Sequence, residues 1–425
     1  MGDELTLGQR LDTNSRWLSA RLLDLGIEVV EHVTVPDELE ATVAAFRRLA
    51  VGVDLLISTG GLGPTADDLC RAALARATDD TLVEDSAALE SVKRWFSGRG
   101  REMNAINRVQ GQRPSRAACL SNERGTAPGL ATRIGACDVF CLPGPPAEMS
   151  AMFEAHVRPR LVPAPGRTVR THALHCFGIG ESELAARLGP LMDRTRNPLV
   201  GTTASGGVVS IRVRYDATGS ASDAARAMDE TVRAARAAAV PYCFGEGDTT
   251  LQQAVLSELR TRARTLAVAE SCTGGLLGSK FTEVPGASAV FVGGWITYSN
   301  EMKSSQVGVP PSLIAAHGAV SHHTAEAMAR GALDRAAADF ALSITGVAGP
   351  DGGSPDKPVG TVWIALAARH GSDTPVVSRR FNMGGGDRQS VREWSARAAM
   401  MMLFLYLKGA ATTKLLRQTE EHVTA

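Results

Sequence analysis

The chain lacks an excess of charge, a long apolar run and an ordered pattern of cysteines. Its 45 Lys and Arg residues equal its 45 Asp and Glu residues, so it has no basic field that would attract nucleic acid. No stretch approaches the roughly 18 consecutive apolar residues of a membrane helix, and no signal peptide precedes Asp3. Its seven cysteines form neither a CxxC pair nor a disulfide framework. These absences predict a cytoplasmic protein that binds neither nucleic acid nor membranes.

The composition is instead that of an ordinary globular protein with several domains. Apolar residues make up 44% of the 425 residues, which is enough for normal cores. This length accommodates two or three domains at about 100 to 200 residues each. The informative features are glycine-rich loops that follow apolar strands.

The most informative stretch is AESCTGG, residues 269–275. The preceding residues 265–269 are predicted to form a strand and residues 276–282 a helix. The hydroxyl of Ser271 and the thiol of Cys272 therefore lie between a strand end and a helix start. Free N–H groups at a helix start can hold a phosphate or the oxyanion of a tetrahedral intermediate. The same pattern also describes a Ser or Thr helix cap followed by a glycine turn.

A second cluster, GGWITYSNEMK at residues 293–303, supplies Tyr298 and Lys303. Serine, tyrosine and lysine can together form an amide hydrolase, because a serine hydroxyl needs a base at neutral pH. Lysine can be that base if burial or a nearby cation lowers its pKa from about 10.4 toward about 7 to 8. The tyrosine can relay the proton or hold the lysine in place.

These runs, together with HGAVS at 317–321, ITGVAGPDGG at 344–353 and KPVGTVW at 357–363, resemble the C-terminal domain of the CinA family. The resemblance extends from about Thr249 to about Leu407. It implies a nicotinamide mononucleotide amidohydrolase of pyridine nucleotide salvage, which releases nicotinic acid mononucleotide and ammonia and needs no cofactor. It also implies that Ser271 is the nucleophile and that Lys303 and Tyr298 activate it. Only the resemblance favours Ser271 over Cys272, since a thiol is intrinsically the more reactive group.

This substrate has a primary amide and a monophosphate, so the site needs an oxyanion hole and an anion cradle. Two strand-end loops of an α/β sheet would face one crevice, and either loop can supply either function. The candidate substrate-binding residues in these loops are Thr273, Gly274, Gly275, Thr345 and Gly346. Arg388, which opens the last predicted helix, is a candidate phosphate ligand. Alternatively, Arg388 and Arg392 form a solvated helix face.

The first half of the chain contains another glycine-rich loop. A predicted strand at 54–59 leads into GGLGPTADD at 60–68, but the GK[ST] ending of a Walker loop is missing. Asp67 and Asp68 can stabilise the dipole of the following helix, or they can hold a divalent cation beside a phosphate.

This loop, GDEL at residues 2–5 and DTN at 12–14 resemble the molybdopterin-binding type domain of CinA proteins. The resemblance implies a three-layer α/β/α sandwich, which in some members hydrolyses ADP-ribose with a divalent metal and potassium. The implied site residues are Gly60, Gly61, Gly63, Asn14 and Glu148, with Asp3, Asp67 and Asp68 as metal ligands. The family has an apolar strand before GDEL, whereas Met1 directly precedes it here. Either the start site is misassigned, or the first sheet lacks a strand.

Between the halves, residues 163–166 are predicted to form a linker, and residues 170–177 and 208–215 to form strands. With predicted helices at 181–192 and 222–239, this module resembles the small connecting domain of full-length CinA proteins. Its strand edges suggest a spacer or a dimer contact, and we expect a homodimer.

The overall prediction is an α/β protein of three domains. They are a molybdopterin-binding-like domain at 1–162, a small α+β connecting domain at 167–246 and an α/β amidohydrolase domain at 249–412. One alternative function is a metal-dependent ADP-ribose pyrophosphatase in the first domain. The other is a scaffold that binds a pterin or a nucleotide without catalysis.

Overall fold

The computed structural model describes residues 1–161, 167–371, 373–384 and 387–424. The chain folds into two compact units, Met1–Val169 and Arg170–Ala425. The linker predicted at residues 163–166 lies outside the described residues. Across the described ranges, no helix is both long enough and apolar enough to cross a membrane.

Unit 1 is built on a four-stranded sheet with the strand order β1-β6-β5-β4. Strands β1 and β6 are parallel, and the other pairs are antiparallel. Its elements are α1 (Asp3–Thr6), α2 (Thr13–Asp24), α3 (Leu39–Leu49), β1 (Leu55–Thr59), α4 (Cys70–Ala77), β2 (Leu82–Glu84), α5 (Ser86–Ser97), β3 (Gln112–Pro114), β4 (Ala118–Leu120), β5 (Gly129–Ile134), β6 (Cys137–Leu142) and α6 (Pro146–Met152). Strands β2 and β3 form a separate pair.

Strand β6 places alternate side chains in two different cores. Val139 joins a cluster with Phe46 of α3 and Leu74 of α4. Phe140 joins a second cluster with Leu18 of α2, because neighbouring residues of a strand point to opposite faces. Helices therefore cover both faces of the sheet, which confirms the predicted three-layer sandwich.

Met1 lies beside the end of β1, where its ammonium group donates a hydrogen bond to the Thr59 carbonyl oxygen at 3.0 Å. Gly2 donates its N–H to the carbonyl of Val35 at 3.1 Å. Within the described residues, no strand precedes β1.

Unit 2 begins with the module that the sequence predicted as two strands and two helices. Its four-stranded sheet has the order β10-β7-β9-β8. The elements are β7 (Arg167–Phe177), α7 (Glu181–Leu188), β8 (Leu199–Ser205), β9 (Val208–Thr218), α8 (Ala221–Ala239) and β10 (Cys243–Glu246). The sequence prediction missed β8 and β10, because β8 has only two large apolar residues, Leu199 and Val200, and β10 is only four residues long.

The rest of unit 2 forms a six-stranded sheet with the order β12-β11-β13-β14-β15-β16. Its elements are α9 (Leu251–Thr261), β11 (Leu266–Glu270), α10 (Leu276–Thr282), β12 (Phe291–Ile296), α11 (Asn300–Val307), α12 (Pro311–His317), α13 (His322–Ala336), β13 (Phe340–Gly346), β14 (Thr361–Ala368), β15 (Val376–Asn382), α14 (Arg388–Leu407) and β16 (Gln418–Thr424). Strands β12, β11 and β13 are parallel, so the chain leaves all three at the same edge of the sheet.

The sheet extends beyond residue 412, the predicted end of the last domain. Strand β16 pairs with β15 and brings Glu421 Oε2 to 2.7 Å from Arg379 Nε. The Arg379 side chain is 2% exposed, and its Nη1 donates to the Thr413 carbonyl at 2.8 Å. Burial lowers the pKa of Arg379. The last strand therefore supplies the carboxylate that neutralises a buried arginine.

Gly331 of α13 should not tolerate a larger residue. A Cβ there would overlap the carbonyl oxygen of Val307 and lie 2.7 Å from its carbonyl carbon. Backbone at a helix end cannot move aside as a flexible side chain can. We expect Gly331→Ala to lower the free energy of unfolding by about 3 kcal/mol, as measured by urea denaturation.

Gly278 of α10 is the matched control, because a Cβ there would lie 3.5 Å or more from its nearest neighbours. Alanine is a better helix former than glycine by roughly 1 kcal/mol, so Gly278→Ala should be neutral or slightly stabilising. Equal urea midpoints for the two variants would contradict the packing argument.

Candidate active site

Ser271 directly follows β11, and backbone hydrogen bonds hold this strand end on both sides. Its own N–H donates to the Ile344 carbonyl of β13 at 2.9 Å. On the other side, the Thr297 N–H donates to the Glu270 carbonyl at 2.7 Å. The Ser271 residue is 7% exposed. The serine therefore occupies a rigid position at the carboxyl edge of the parallel strands.

Glu270, one residue before the serine, closes the start of helix α10 with its side chain. It is 1% exposed, and its carboxylate accepts the N–H groups of Gly275, Leu277 and Gly278 at 3.1, 3.0 and 2.8 Å. Three amide donors at the positive end of a helix can stabilise a buried carboxylate. The sequence analysis missed this role, because an isolated glutamate before a candidate nucleophile forms no recognisable pattern.

The Glu270 contact changes which N–H groups can reach a ligand. Gly275 is occupied by Glu270, and the Gly274 N–H donates to the Ser271 carbonyl at 3.0 Å. Both glycines have positive φ, 59° for Gly274 and 90° for Gly275, so their structural role is the left-handed turn. In this described loop, no protein acceptor is found for the Thr273 N–H, and the Cys272 N–H contacts only the sulfur of its own side chain. These two, rather than the glycines, are available as oxyanion-hole donors.

Lys303 of α11 reaches Ser271 from a buried position. It is 1% exposed, and its Nζ lies 3.0 Å from Ser271 Oγ. The same nitrogen donates to the carbonyls of Thr297 at 2.9 Å and Tyr298 at 3.3 Å. Burial lowers the pKa of Lys303 below its ordinary value. No carboxylate in the described part of the chain forms an ion pair with it, and the charge of Glu301 opposes the effect of burial only in part.

Tyr298 contacts the lysine through its backbone rather than its ring. Tyr298 is 59% exposed, and its hydroxyl accepts a hydrogen bond from Arg388 Nη2 at 2.9 Å. The other terminal nitrogen of Arg388 donates to the Gly349 carbonyl at 2.6 Å. The phenol thus does not bridge Ser271 and Lys303 in this geometry, and it instead holds Arg388 at the rim of the site.

Thr345 and Gly346 lie within β13, which runs two residues farther than predicted. Gly346 pairs with Val362 of the antiparallel strand β14, and the Thr345 hydroxyl donates to the Ala319 carbonyl at 2.7 Å. The sequence prediction ended the strand at Ile344, because the pairing with β14 is a tertiary contact. These two residues support the strand end next to Ser271 and are not part of a free loop.

The surroundings of Cys272 and Arg392 indicate structural roles for both residues. Burial raises the pKa of the Cys272 thiol to about 12, so this group stays protonated at neutral pH. Arg392 donates from Nε and Nη2 to the Thr273 carbonyl at 3.2 and 2.8 Å. It therefore fixes the loop that follows the serine instead of forming a solvated face with Arg388.

In unit 1, protein residues contact the predicted phosphate loop and accept its N–H groups. Gly60 and Gly61 have φ of 99° and 67°, and a Cβ on Gly60 would lie 2.7 Å from the Met1 carbonyl oxygen. The Asp68 carboxylate accepts the N–H groups of Gly63 at 2.8 Å and Thr65 at 2.9 Å. Asp68 therefore stabilises the loop from within.

The other candidates of unit 1 have separate partners. Asn14 donates to the Gly144 carbonyl at 2.8 Å, and Glu148 accepts from Asn122 at 2.7 Å. Asp3 accepts the N–H of Asp37 at 3.0 Å. A hydrogen bond with Thr65 lowers the pKa of the exposed Asp67.

Nowhere in the described ranges do three or more His, Cys, Asp or Glu side chains gather closely enough to hold a metal ion. The predicted set Asp3, Asp67 and Asp68 is therefore not brought together as a metal site, and these residues do not fit a divalent ion in this arrangement.

Four histidines stack beside the last strand. The ring centroids of His317 and His323 are 3.6 Å apart, those of His322 and His323 are 3.7 Å apart, and His422 of β16 lies 4.1 Å from His322. His317 of α12 and His422 of β16 are the outer members of this stack, and His322 and His323 of α13 lie between them. Ser321 caps α13 by accepting the Thr324 N–H at 3.2 Å.

The fold and the site together define an α/β protein in which a buried lysine contacts the hydroxyl of a serine at the end of a parallel strand. Three family models match the chain: "CinA C-terminal domain" at residues 248–407, "Probable molybdopterin binding domain" at 1–162 and "Damage-inducible protein CinA KH domain" at 171–245. The "Putative competence-damage inducible protein" of Symbiobacterium thermophilum is 43% identical over 96% of this chain and 98% of its own length. The chain belongs to the CinA family, as its motifs predicted.

A second relative agrees with this assignment. The "CinA-like protein" of Geobacter sulfurreducens is 43% identical over 94% of this chain and 96% of its own length. Among solved structures, the competence/damage inducible protein CihA of Agrobacterium tumefaciens is 40% identical and covers 37% of this chain and 93% of its own, with a TM-score of 0.35.

Proposed function

We propose that the C-terminal part of this chain hydrolyses the carboxamide of nicotinamide mononucleotide to nicotinic acid mononucleotide and ammonia. The observation that carries the proposal is the 3.0 Å contact between Lys303 Nζ and Ser271 Oγ in a buried position. A serine needs a base to attack an amide, and a buried lysine with a lowered pKa can be that base.

In the proposed acylation, neutral Lys303 takes the proton of Ser271 while Oγ attacks the carboxamide carbon. The N–H groups of Cys272 and Thr273 then stabilise the oxyanion of the tetrahedral intermediate. Using the N–H of the residue that follows the nucleophile is a recurring solution in serine hydrolases. The protonated lysine returns its proton to the departing amine, and ammonia leaves behind a serine ester.

In the second half of the proposed reaction, water replaces ammonia. Lys303 again takes a proton, this time from the water molecule that attacks the ester. The oxyanion forms at the same N–H groups, and collapse of the intermediate frees Ser271 and the carboxylate product. A general base typically contributes about 10²- to 10⁴-fold to such a rate.

Arg388 supports the choice of a phosphorylated substrate. Its guanidinium is held in place by the Gly349 carbonyl and the Tyr298 hydroxyl. A positioned guanidinium can bind a phosphate through two hydrogen bonds. The helix start of α10 is a weaker candidate for this function, because Glu270 already accepts three of its N–H groups.

The test is ammonia release by the purified full-length chain in the presence of a chelator. We expect stoichiometric ammonia and nicotinic acid mononucleotide from nicotinamide mononucleotide. Nicotinamide riboside, which lacks the phosphate, should have a kcat/KM at least about tenfold lower, since a charge-assisted hydrogen bond is worth roughly 1.5 to 3 kcal/mol.

The outcomes separate this proposal from its rivals. No ammonia from either compound would contradict it. Release of AMP and ribose 5-phosphate from ADP-ribose, lost on chelation, would place an activity in unit 1. Binding of a nucleotide or pterin that raises the melting temperature, without turnover of any of them, would favour a scaffold.

A further inference from the structure

Cys176 of β7 and Cys243 of β10 are directly opposite each other in an antiparallel pair. The Phe177 N–H donates to the Tyr242 carbonyl at 3.1 Å, one residue beyond the cysteines on each strand. This pattern makes the cysteines a non-hydrogen-bonded pair, in which the Cα atoms are about 4.5 Å apart and the side chains are closest. A separation of that size is compatible with a disulfide, whose Cα atoms are usually about 4.4 to 6.8 Å apart.

The two thiols have different chemical states. Cys176 is 0% exposed, whereas Cys243 is half-buried and its Sγ lies 3.8 Å from the Gly245 carbonyl oxygen. The neighbouring Cys176 thiol, opposed by burial and helped by the positive charge of Arg236, lowers the pKa of Cys243 below its ordinary value. The pKa of Cys176 is raised far above its ordinary value by the same contact. At neutral pH, Cys243 is therefore the more nucleophilic sulfur, and Cys176 remains a protonated thiol.

Cys243 lines a cavity of about 830 Å³ between β10 and the helices α9 and α14. Charges of both signs surround the cavity, among them Arg236, Glu246, Glu258 and Lys408. A cavity of this volume is large enough for a small peptide-like molecule. Arg236 pairs with Glu246 and Lys408 pairs with Glu258, so these four charges compensate one another, and the lining suits a polar ligand without an excess of charge of one sign.

We propose that Cys243 is a thiol–disulfide exchange site for low-molecular-weight disulfides, with Cys176 as the resolving cysteine. In the first step, the Cys243 sulfur attacks one sulfur of the small disulfide RSSR, whose S–S bond breaks and releases RS⁻. In the second step, the Cys176 sulfur attacks Cys243 and displaces the second RS⁻. The Cys176 proton passes to a leaving thiolate. Two protein thiols are oxidised to one disulfide, and RSSR is reduced to two RSH.

The test uses the full-length chain with oxidised glutathione at pH 7, followed by peptide mass mapping. We expect the wild-type protein to form a Cys176–Cys243 disulfide. The Cys176→Ser variant should instead retain a glutathione adduct on Cys243, and the Cys243→Ser variant should form neither product. A wild-type protein that keeps the adduct on Cys243 without forming the crosslink would overturn the resolving role of Cys176.

A reference cysteine within the wild-type chain makes the test independent of how the variants fold. Cys119 is half-buried, and burial raises the pKa of its thiol to about 11. Iodoacetamide at pH 7 should alkylate Cys243 at least tenfold faster than Cys119, and the rate at Cys243 should reach half its maximum below the ordinary thiol pKa of about 8.5. Equal rates at the two cysteines would overturn the proposal, whatever the outcome of the amide hydrolysis assay.

Discussion

Ser271→Ala is expected to lower kcat for ammonia release from nicotinamide mononucleotide by at least about 10³-fold. The variant has no oxygen that could form the ester, while the donors of Cys272 and Thr273 remain. Loss of a nucleophile in a serine hydrolase costs up to about 10⁶-fold, with the oxyanion hole and substrate binding left as residual catalysis. The measurement is steady-state ammonia release, and KM should change little, because the hydroxyl contributes mainly to the transition state.

Cys272→Ala is the matched control for this variant. The two residues are neighbours, but the Cys272 thiol is buried and its pKa is raised to about 12. Its replacement should leave kcat within about tenfold of wild type, because only packing is lost. The opposite pattern, with an active Ser271→Ala and an inactive Cys272→Ala, would assign the nucleophile to the cysteine.

Lys303→Met is expected to reduce kcat by about 10² to 10⁴-fold, the usual contribution of a general base. Methionine retains an unbranched apolar stem of similar length, so the buried space next to Ser271 stays filled. Lys303→Arg should not restore activity, because a guanidinium remains protonated at any working pH and cannot accept the serine proton. Melting temperatures of both variants would show that the fold is retained.

The pH profile distinguishes a base from a purely structural lysine. Burial lowers the pKa of Lys303, and only its neutral form can accept a proton. The kcat/KM of the wild-type protein should therefore rise with pH through this lowered pKa, below the ordinary lysine value of about 10.4. An acid limb at or above that ordinary value would contradict the assignment. If Lys303 is the base, the residual activity of Lys303→Met should lack this acid limb. If Lys303 is only structural, the wild-type profile should show no limb that depends on it.

The parts of the site that lie on strongly patterned elements could be predicted from the sequence. The apolar run before Ser271 and the helix that starts at Leu276 are local features, and the helix bounds of 276–282 match the prediction. The proximity of Lys303 to Ser271 required the family motifs, since 32 residues separate the two in the chain. Burial of the lysine follows only from the packing of α11 under the sheet edge.

The missed parts depend on contacts that no local pattern records. The Glu270 carboxylate accepts three N–H groups at the start of α10. The turn formed by two left-handed glycines brings these groups to it. Thr345 and Gly346 were placed in a loop, because β14 extends β13 only in the folded sheet. The glycine turn at Gly60 was predicted in the same way from local sequence. The packing of Met1 against Gly60 could not be predicted, because it is a contact between distant parts of the chain.

The last strand, β16, sets the length of polypeptide that must be kept when the C-terminal domain is produced alone. The matching family region ends at residue 407, before the strand begins at Gln418. A protein truncated there would retain Arg379 without the carboxylate of Glu421 and would leave the N–H and C=O groups of β15 open along its whole edge. An open edge of that kind is a template for aggregation. A truncated protein intended for crystallisation or assay should therefore include Thr424, and an affinity tag is better attached at its amino end.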